Sequence, residues 1–248
     1  MALRECSGNF IKSHGKSIHY NYEFGKDNYK GGDIMNINVK KFSFAVSRMN
    51  EKELLWNSII CGIAPTLCTI KCASILSFTR YNKDILSLWN LYKHEFLESI
   101  SIKCYELVNK DNISVVLFYN EDKLKETLYR RENISFLKNI GYKEDMCLEE
   151  YLDMLKKRYK LGCPHEMGLF LGIPLEDVIQ FIDKKGREYL YSGYWKVYSN
   201  LESTLNIFNT YDDIRSLVIN KIGEGASSIK IMQILNEYKE GASTQVIF

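Results

Sequence analysis

A mixed α/β fold, with a small sheet of three or four strands, an antiparallel hairpin and a cover of many helices, is what this sequence predicts. Three observations predict it. Apolar residues recur at helical spacing through most of the chain after residue 49. Short β-favouring runs interrupt those segments at Ala73–Phe78, Ser101–Val108, Ile113–Tyr119 and Tyr189–Tyr198. Seventeen Tyr and twelve Phe against three Pro supply a large aromatic payload and few breakers, which favours regular structure over loops.

In chain order, Glu51–Ile63 places Leu54, Leu55, Ile59 and Ile63 on one helical face, and Pro65 is expected to end or restart that helix. Ala73–Phe78 reads as a strand, followed by a polar turn at Arg80–Lys83. Asp84–Phe96 repeats a helical stripe through Ile85, Leu88, Trp89, Tyr92 and Phe96. The strands Ser101–Val108 and Ile113–Tyr119 flank Asn109-Lys110-Asp111-Asn112, a hairpin connection that pairs them antiparallel. Glu121–Tyr129, Glu132–Asn139 and Leu148–Tyr159 read as three helices, with Gly141 as the C-terminal cap of the second. Pro164 begins a helix running to Leu171, Gly172 ends it, and Pro174 starts another from Leu175 to Lys184 that Gly186 closes. Tyr189–Tyr198 is the last strand, and Leu201–Ile222 and Ser227–Tyr238 are closing helices.

These elements make a single globular domain over 49–248, with no internal repeat or dividing linker. Residues 1–48 stand apart as an extension. The first 34 lack any helical or strand period and are rich in Gly, Asn, Lys and Ser, as expected of a disordered tail or a translated leader. Lys30-Gly31-Gly32-Asp33-Ile34-Met35 can be encoded by a bacterial ribosome-binding sequence followed by a start codon, so a start at Met35, or at Met49, is one expectation and a genuine tail the other.

The net charge of +2 comes from the extension, which carries eight Lys/Arg against four Asp/Glu and leaves 25 against 27 for the body. No basic run interleaved with aromatics appears there, so a nucleic-acid surface is disfavoured. Seven Cys make an odd count without a CxxC pair, and most sit in apolar segments, which reads as reduced thiols of a cytoplasmic protein. The longest apolar stretch, Ile59–Ile70, falls short of the roughly 18 to 20 residues that span a bilayer. The expected partner is therefore a small molecule or another protein, not a membrane, and the residues name no cofactor.

The string Pro164-His-Glu-Met-Gly-Leu-Phe-Leu-Gly-Ile-Pro-Leu-Glu-Asp-Val178, then Phe181-Ile182, Gly186 and Gly193-Tyr-Trp-Lys-Val-Tyr198, resembles the family catalogued as domain of unknown function 3793, from anaerobic Gram-positive bacteria. Cys61–Leu76 (CGIAPTLCTIKCASIL) is similar to that family's opening segment, and the likeness runs from about Met49 to Phe208. Ile173 stands where relatives often have Tyr, and Gln180 where they often have Gly. After Phe208 the Cys-bearing basic tail of many members is missing. The resemblance implies no activity, substrate or cofactor, only an association with iron or redox physiology.

Several residues carry candidate chemistry. Cys163-Pro164-His165-Glu166 sits at a helix start, where the dipole and an adjacent imidazole would favour a thiolate, although relatives often lack that Cys. His165 and Glu166 are the catalytic candidates, with His165 as acid/base; the structural alternative is a helix-stabilising Glu166 and a His165 bonded to a carbonyl. Cys163 and His165, with Cys147 or Glu176, are metal-ligand candidates without any zinc spacing. Glu176, Trp195 and Lys196 are ligand-binding candidates, set against dipole-favoured acid and core aromatic readings. Without a complete catalytic constellation, the leading expectation is a non-enzymatic binding or accessory protein, its site between Pro164–Lys184 and the Tyr189–Tyr198 strand. The alternative is an enzyme using His165, which requires His165, Glu166 and Lys196 to converge in one open pocket.

Overall fold

The computed structural model describes residues 49–80 and 84–244. The leader, the start at Met35 and most of the Arg80–Lys83 turn lie outside the described residues. Within them the order is α1 (Glu51–Leu67), β1 (Ala73–Thr79), α2 (Ile85–Glu98), β2 (Lys103–Lys110), β3 (Ile113–Tyr119), α3 (Glu121–Leu128), α4 (Arg131–Asn139) and α5 (Leu148–Tyr159). Then come α6 (Met167–Phe170), α7 (Leu175–Asp183), β4 (Tyr191–Ser192), β5 (Lys196–Val197), α8 (Leu201–Gly223) and α9 (Ser228–Thr244).

β1, β3 and β2 form an antiparallel sheet with β3 in the centre. Successive side chains of a strand face opposite ways, and both faces of β3 are apolar. Val116 and Phe118 join a core built from α1, α2, α8 and α9, whereas Val115, Leu117 and Tyr119 join one built from α3 to α7. The sheet is thus sandwiched between two helical layers, and β3 reads as an unbroken apolar run because it has no solvent face. The β2–β3 hairpin is tighter than its expected four-residue connection. Lys110 pairs with Ile113, leaving Asp111 and Asn112 as the loop, and a bulge between Glu106 and Val108 accommodates the buried Leu107.

Asn50 caps α1 by accepting the Glu53 amide at 2.9 Å. Contrary to the expectation, Pro65 lies inside α1, which continues to Leu67. Pro65 occupies the last turn, where the missing N–H costs one bond and little helix remains to be kinked. Its carbonyl accepts the amides of Ile70 and Lys71, both at 3.0 Å, and closes a turn through Thr69 at φ 58°. Glu53 also reaches across to α9, accepting the Ser228 amide and hydroxyl at 3.0 Å each.

The expected single strand at Tyr189–Tyr198 is instead a small hairpin, β4 pairing with β5 around Gly193-Tyr194-Trp195. The reversal lets Tyr191, Tyr194 and Trp195 close around Phe208 of α8, with ring centroids 6.2, 5.3 and 4.5 Å away. A β-carbon at Gly193 would lie 2.3 Å from Phe208 Cε2 and 2.6 Å from Cδ2. Gly193→Ala is accordingly expected to destabilise the protein by about 2 kcal/mol through overpacking, read as a lowered urea midpoint with an unchanged slope.

Candidate functional site

The helix–joint–helix unit forms much as its prolines and glycines predict, but its first helix is shorter. Residues 164–167 make a tight turn, with the Met167 amide donating to the Pro164 carbonyl at 3.1 Å, and only Met167–Phe170 is α-helical. Gly172 at φ 79° supplies the left-handed joint that an L side chain resists, and α7 follows Pro174. Cys163 therefore precedes a four-residue helix by four positions, half-buried, with its Sγ 3.9 Å from the Pro164 carbonyl.

Glu166 is buried and faces α5. Arg158 donates to it through Nε and, at 3.4 Å, through Nη2, while the Tyr142 hydroxyl donates at 3.4 Å. Arg158 also donates to the Ile140 carbonyl at 3.3 Å. Burial first, and the adjacent carboxylate second, push the Tyr142 phenol well above its ordinary pKa. His165, the next residue back, is exposed and rests edge-on against Phe181 at 5.6 Å.

The acid pair of α7 divides in the same way. Glu176 is exposed and, among the described residues, accepts from Gln180 at 2.6 Å. Asp177 is buried and binds the second hairpin, accepting from Trp195 Nε1 at 2.8 Å, the Tyr198 amide at 2.8 Å and the Ser199 amide at 3.1 Å. Lys196 donates to the Gly186 carbonyl at 2.8 Å and lies over the rings of Tyr189 and Phe181. Phe181 thus gathers His165 and Lys196, while Glu166 is committed to Arg158. The three do not converge on one open pocket. Among the described residues no three His, Cys, Asp or Glu side chains are placed to hold a metal ion.

The open space lies beside the joint. A groove of about 500 Å³ is bordered by Gly172 and Ile70 and floored by α8, which presents Ser203, Asn206, Ile207, Thr210 and Tyr211 along one face. Lys71, next to Ile70, is half-buried with its amine 5.8 Å from the Tyr211 ring centroid. Cys72 follows, its Sγ 3.0 Å from where a Gly172 β-carbon would stand. Spacing on α8 brings Ser203, Ile207 and Thr210 together at intervals of four and three, a pattern indistinguishable in sequence from an ordinary solvated face. Lys71 left a visible trace, as a lone cation inside an apolar run.

The family model described as Protein of unknown function (DUF3793) matches residues 59–232, well over half of the chain. The chain belongs to the DUF3793 family. The matched DUF3793 region contains the helix–joint–helix unit, Lys71 and the whole α8 face of the groove. No curated protein and no solved structure matches the chain. Among the described residues of this DUF3793 member, no helix is long and apolar enough to cross a membrane.

Proposed function

We propose that the protein is a non-enzymatic binding protein whose site is the groove between the Thr69–Lys71 turn, Gly172 and α8. One observation carries this reading: Glu166, Asp177 and Lys196 of the 164–198 segment are engaged in internal bonds, whereas its joint glycine borders the open groove. A groove of this volume, with mixed apolar and hydroxyl-bearing walls, falls within the size range of small-molecule sites. The cytoplasmic setting is supported by the cysteines of the described residues, which form no disulfide. An anaerobic host and a link to iron or redox physiology rest on the family resemblance.

Native mass spectrometry of the full chain, purified under non-denaturing conditions, tests the site. A retained small-molecule mass is expected in the parent protein and is expected to be lost in Ile207→Trp, which fills the groove from an exposed position. An Ile207→Trp protein that keeps the mass, or a parent protein that never carries one, overturns the reading.

A further inference from the structure

We infer that the face formed by the turn after α5, the loop after α7 and the start of β5 docks on an anionic lipid membrane, along which the protein lies without crossing it. No helix among the described residues is long and apolar enough to span a bilayer, but a folded chain binds at the interface where exposed apolar side chains stand among cations. This face has both. Leu161 is 85% exposed, the most of any large apolar side chain among the described residues, and Leu190 is 60% and Tyr189 37% exposed. With them stand Lys157, Lys160, Lys184, Lys185, Arg187 and Lys196, against the exposed acids Asp183 and Glu188. Among the described residues none of these six cations has a carboxylate within ion-pair distance. The rest of residues 49–248 carries 19 Lys/Arg against 25 Asp/Glu, so the surplus of positive charge is local.

Phe181 ties the pieces together. Its ring centroid lies 5.6 Å from that of His165, four residues after Leu161, and 5.8 Å from the Lys196 amine, which is also 5.1 Å from the Tyr189 ring. The backbone holds both leucines in place. The Leu161 amide donates to the Arg158 carbonyl at 3.1 Å, and the Leu190 amide to the Val197 carbonyl at 2.8 Å. In the loop after α7, Lys185 and Glu188 take left-handed φ of 52° and 56°, which L side chains resist. Bonds from the Gly186 amide to Phe181, the Arg187 amide to Lys184 and the Lys196 amine to Gly186 fix that loop. Leucines held out in water suit a partner that yields around them, as acyl chains do, whereas nucleic acid offers phosphates to the lysines but little apolar volume to a leucine. The cytoplasmic leaflet is negatively charged and attracts basic surfaces of this kind.

Co-sedimentation of the full chain with vesicles tests the surface, which uses none of the residues that line the groove. Vesicles of phosphatidylcholine with about one-third phosphatidylglycerol are expected to bind the protein at least tenfold more tightly than pure phosphatidylcholine, and less tightly as salt is raised. Lys160→Gln/Lys185→Gln/Arg187→Gln is expected to weaken binding roughly a hundredfold, about fivefold for each charge. Leu161→Ser/Leu190→Ser is expected to weaken it roughly tenfold with the salt dependence intact, because it removes inserted apolar area and no charge. All five positions are exposed, and unchanged urea midpoints establish that the variants are folded. Lys93→Gln/Lys110→Gln/Lys230→Gln removes the same charge from α2, β2 and α9 and is expected to stay within about threefold of the parent protein. A parent protein that ignores the anionic vesicles at low salt, or binds neutral ones equally, overturns the assignment. So does equal weakening in the two lysine variants, or parent-like binding in the leucine variant. Retention on immobilised poly-glutamate without vesicle binding also overturns it, and would give the face to an acidic protein.

Discussion

Asp177→Ala is expected to cost about 3 to 5 kcal/mol in urea unfolding. The carboxylate is 1% exposed and accepts from one indole and two consecutive backbone amides. Each buried donor left without a partner costs about 1 to 3 kcal/mol, and the Tyr198 amide has no other route to water because Tyr198 is itself buried. Trp195 and Ser199 are half-buried and recover part of their loss from solvent, which keeps the total below a simple sum. The neighbouring Glu176→Ala, which breaks one exposed bond to Gln180, is expected to stay within about 0.5 kcal/mol. Equal losses in the two variants would show that α7 is sensitive to any lost carboxylate and that the bonds of Asp177 to the second hairpin are unimportant.

Arg158→Met is expected to cost about 3 kcal/mol, because it strands the Glu166 carboxylate, only 3% exposed in its side chain, without its cation. The figure is at the low end for a broken buried pair, since the Arg158 side chain is 37% exposed and solvent screens part of the attraction. The double variant Arg158→Met/Glu166→Gln is expected to recover more than half of the loss, as the buried charge is gone and the amide can still accept from Tyr142. A double variant no more stable than the single one would mean that Arg158 contributes through its packing and its bond to the Ile140 carbonyl, and not through the ion pair.

What could be read in the sequence was what local chemistry determines. The apolar stripe of Leu148, Tyr151, Leu152 and Leu155 specifies α5, and the left-handed glycines at 141, 172 and 186 end helices where expected. What escaped depends on residues far away along the chain. Asp177 reads as one of two first-turn acids favoured by the helix dipole, and nothing local distinguishes it from Glu176; its donors lie 18 to 22 positions downstream. The aromatic run at Tyr189–Tyr198 has strand propensity throughout, but Phe208 is the reason it folds back at Gly193. His165 and Glu166 are adjacent in sequence and were read together, yet the tight turn after Pro164 sends one to solvent and the other to Arg158. Lys196 is engaged by a backbone carbonyl that no side-chain pattern advertises. The groove was invisible for the same reason: it exists only where the end of α1, the joint and α8 meet.

β3 is seven residues long and supplies alternate side chains to both helical layers. Neither layer owns its own floor. Opening the α3–α7 side uncovers Leu117, and with it loosens the strand that carries Phe118 beneath Trp89 and Phe96 on the other side. The two halves are thus mechanically coupled through a single shared plank. The physical unit of unfolding is the pair of layers together, so damage at Arg158 or Asp177 is felt as a loss of population of the groove, which borders both layers.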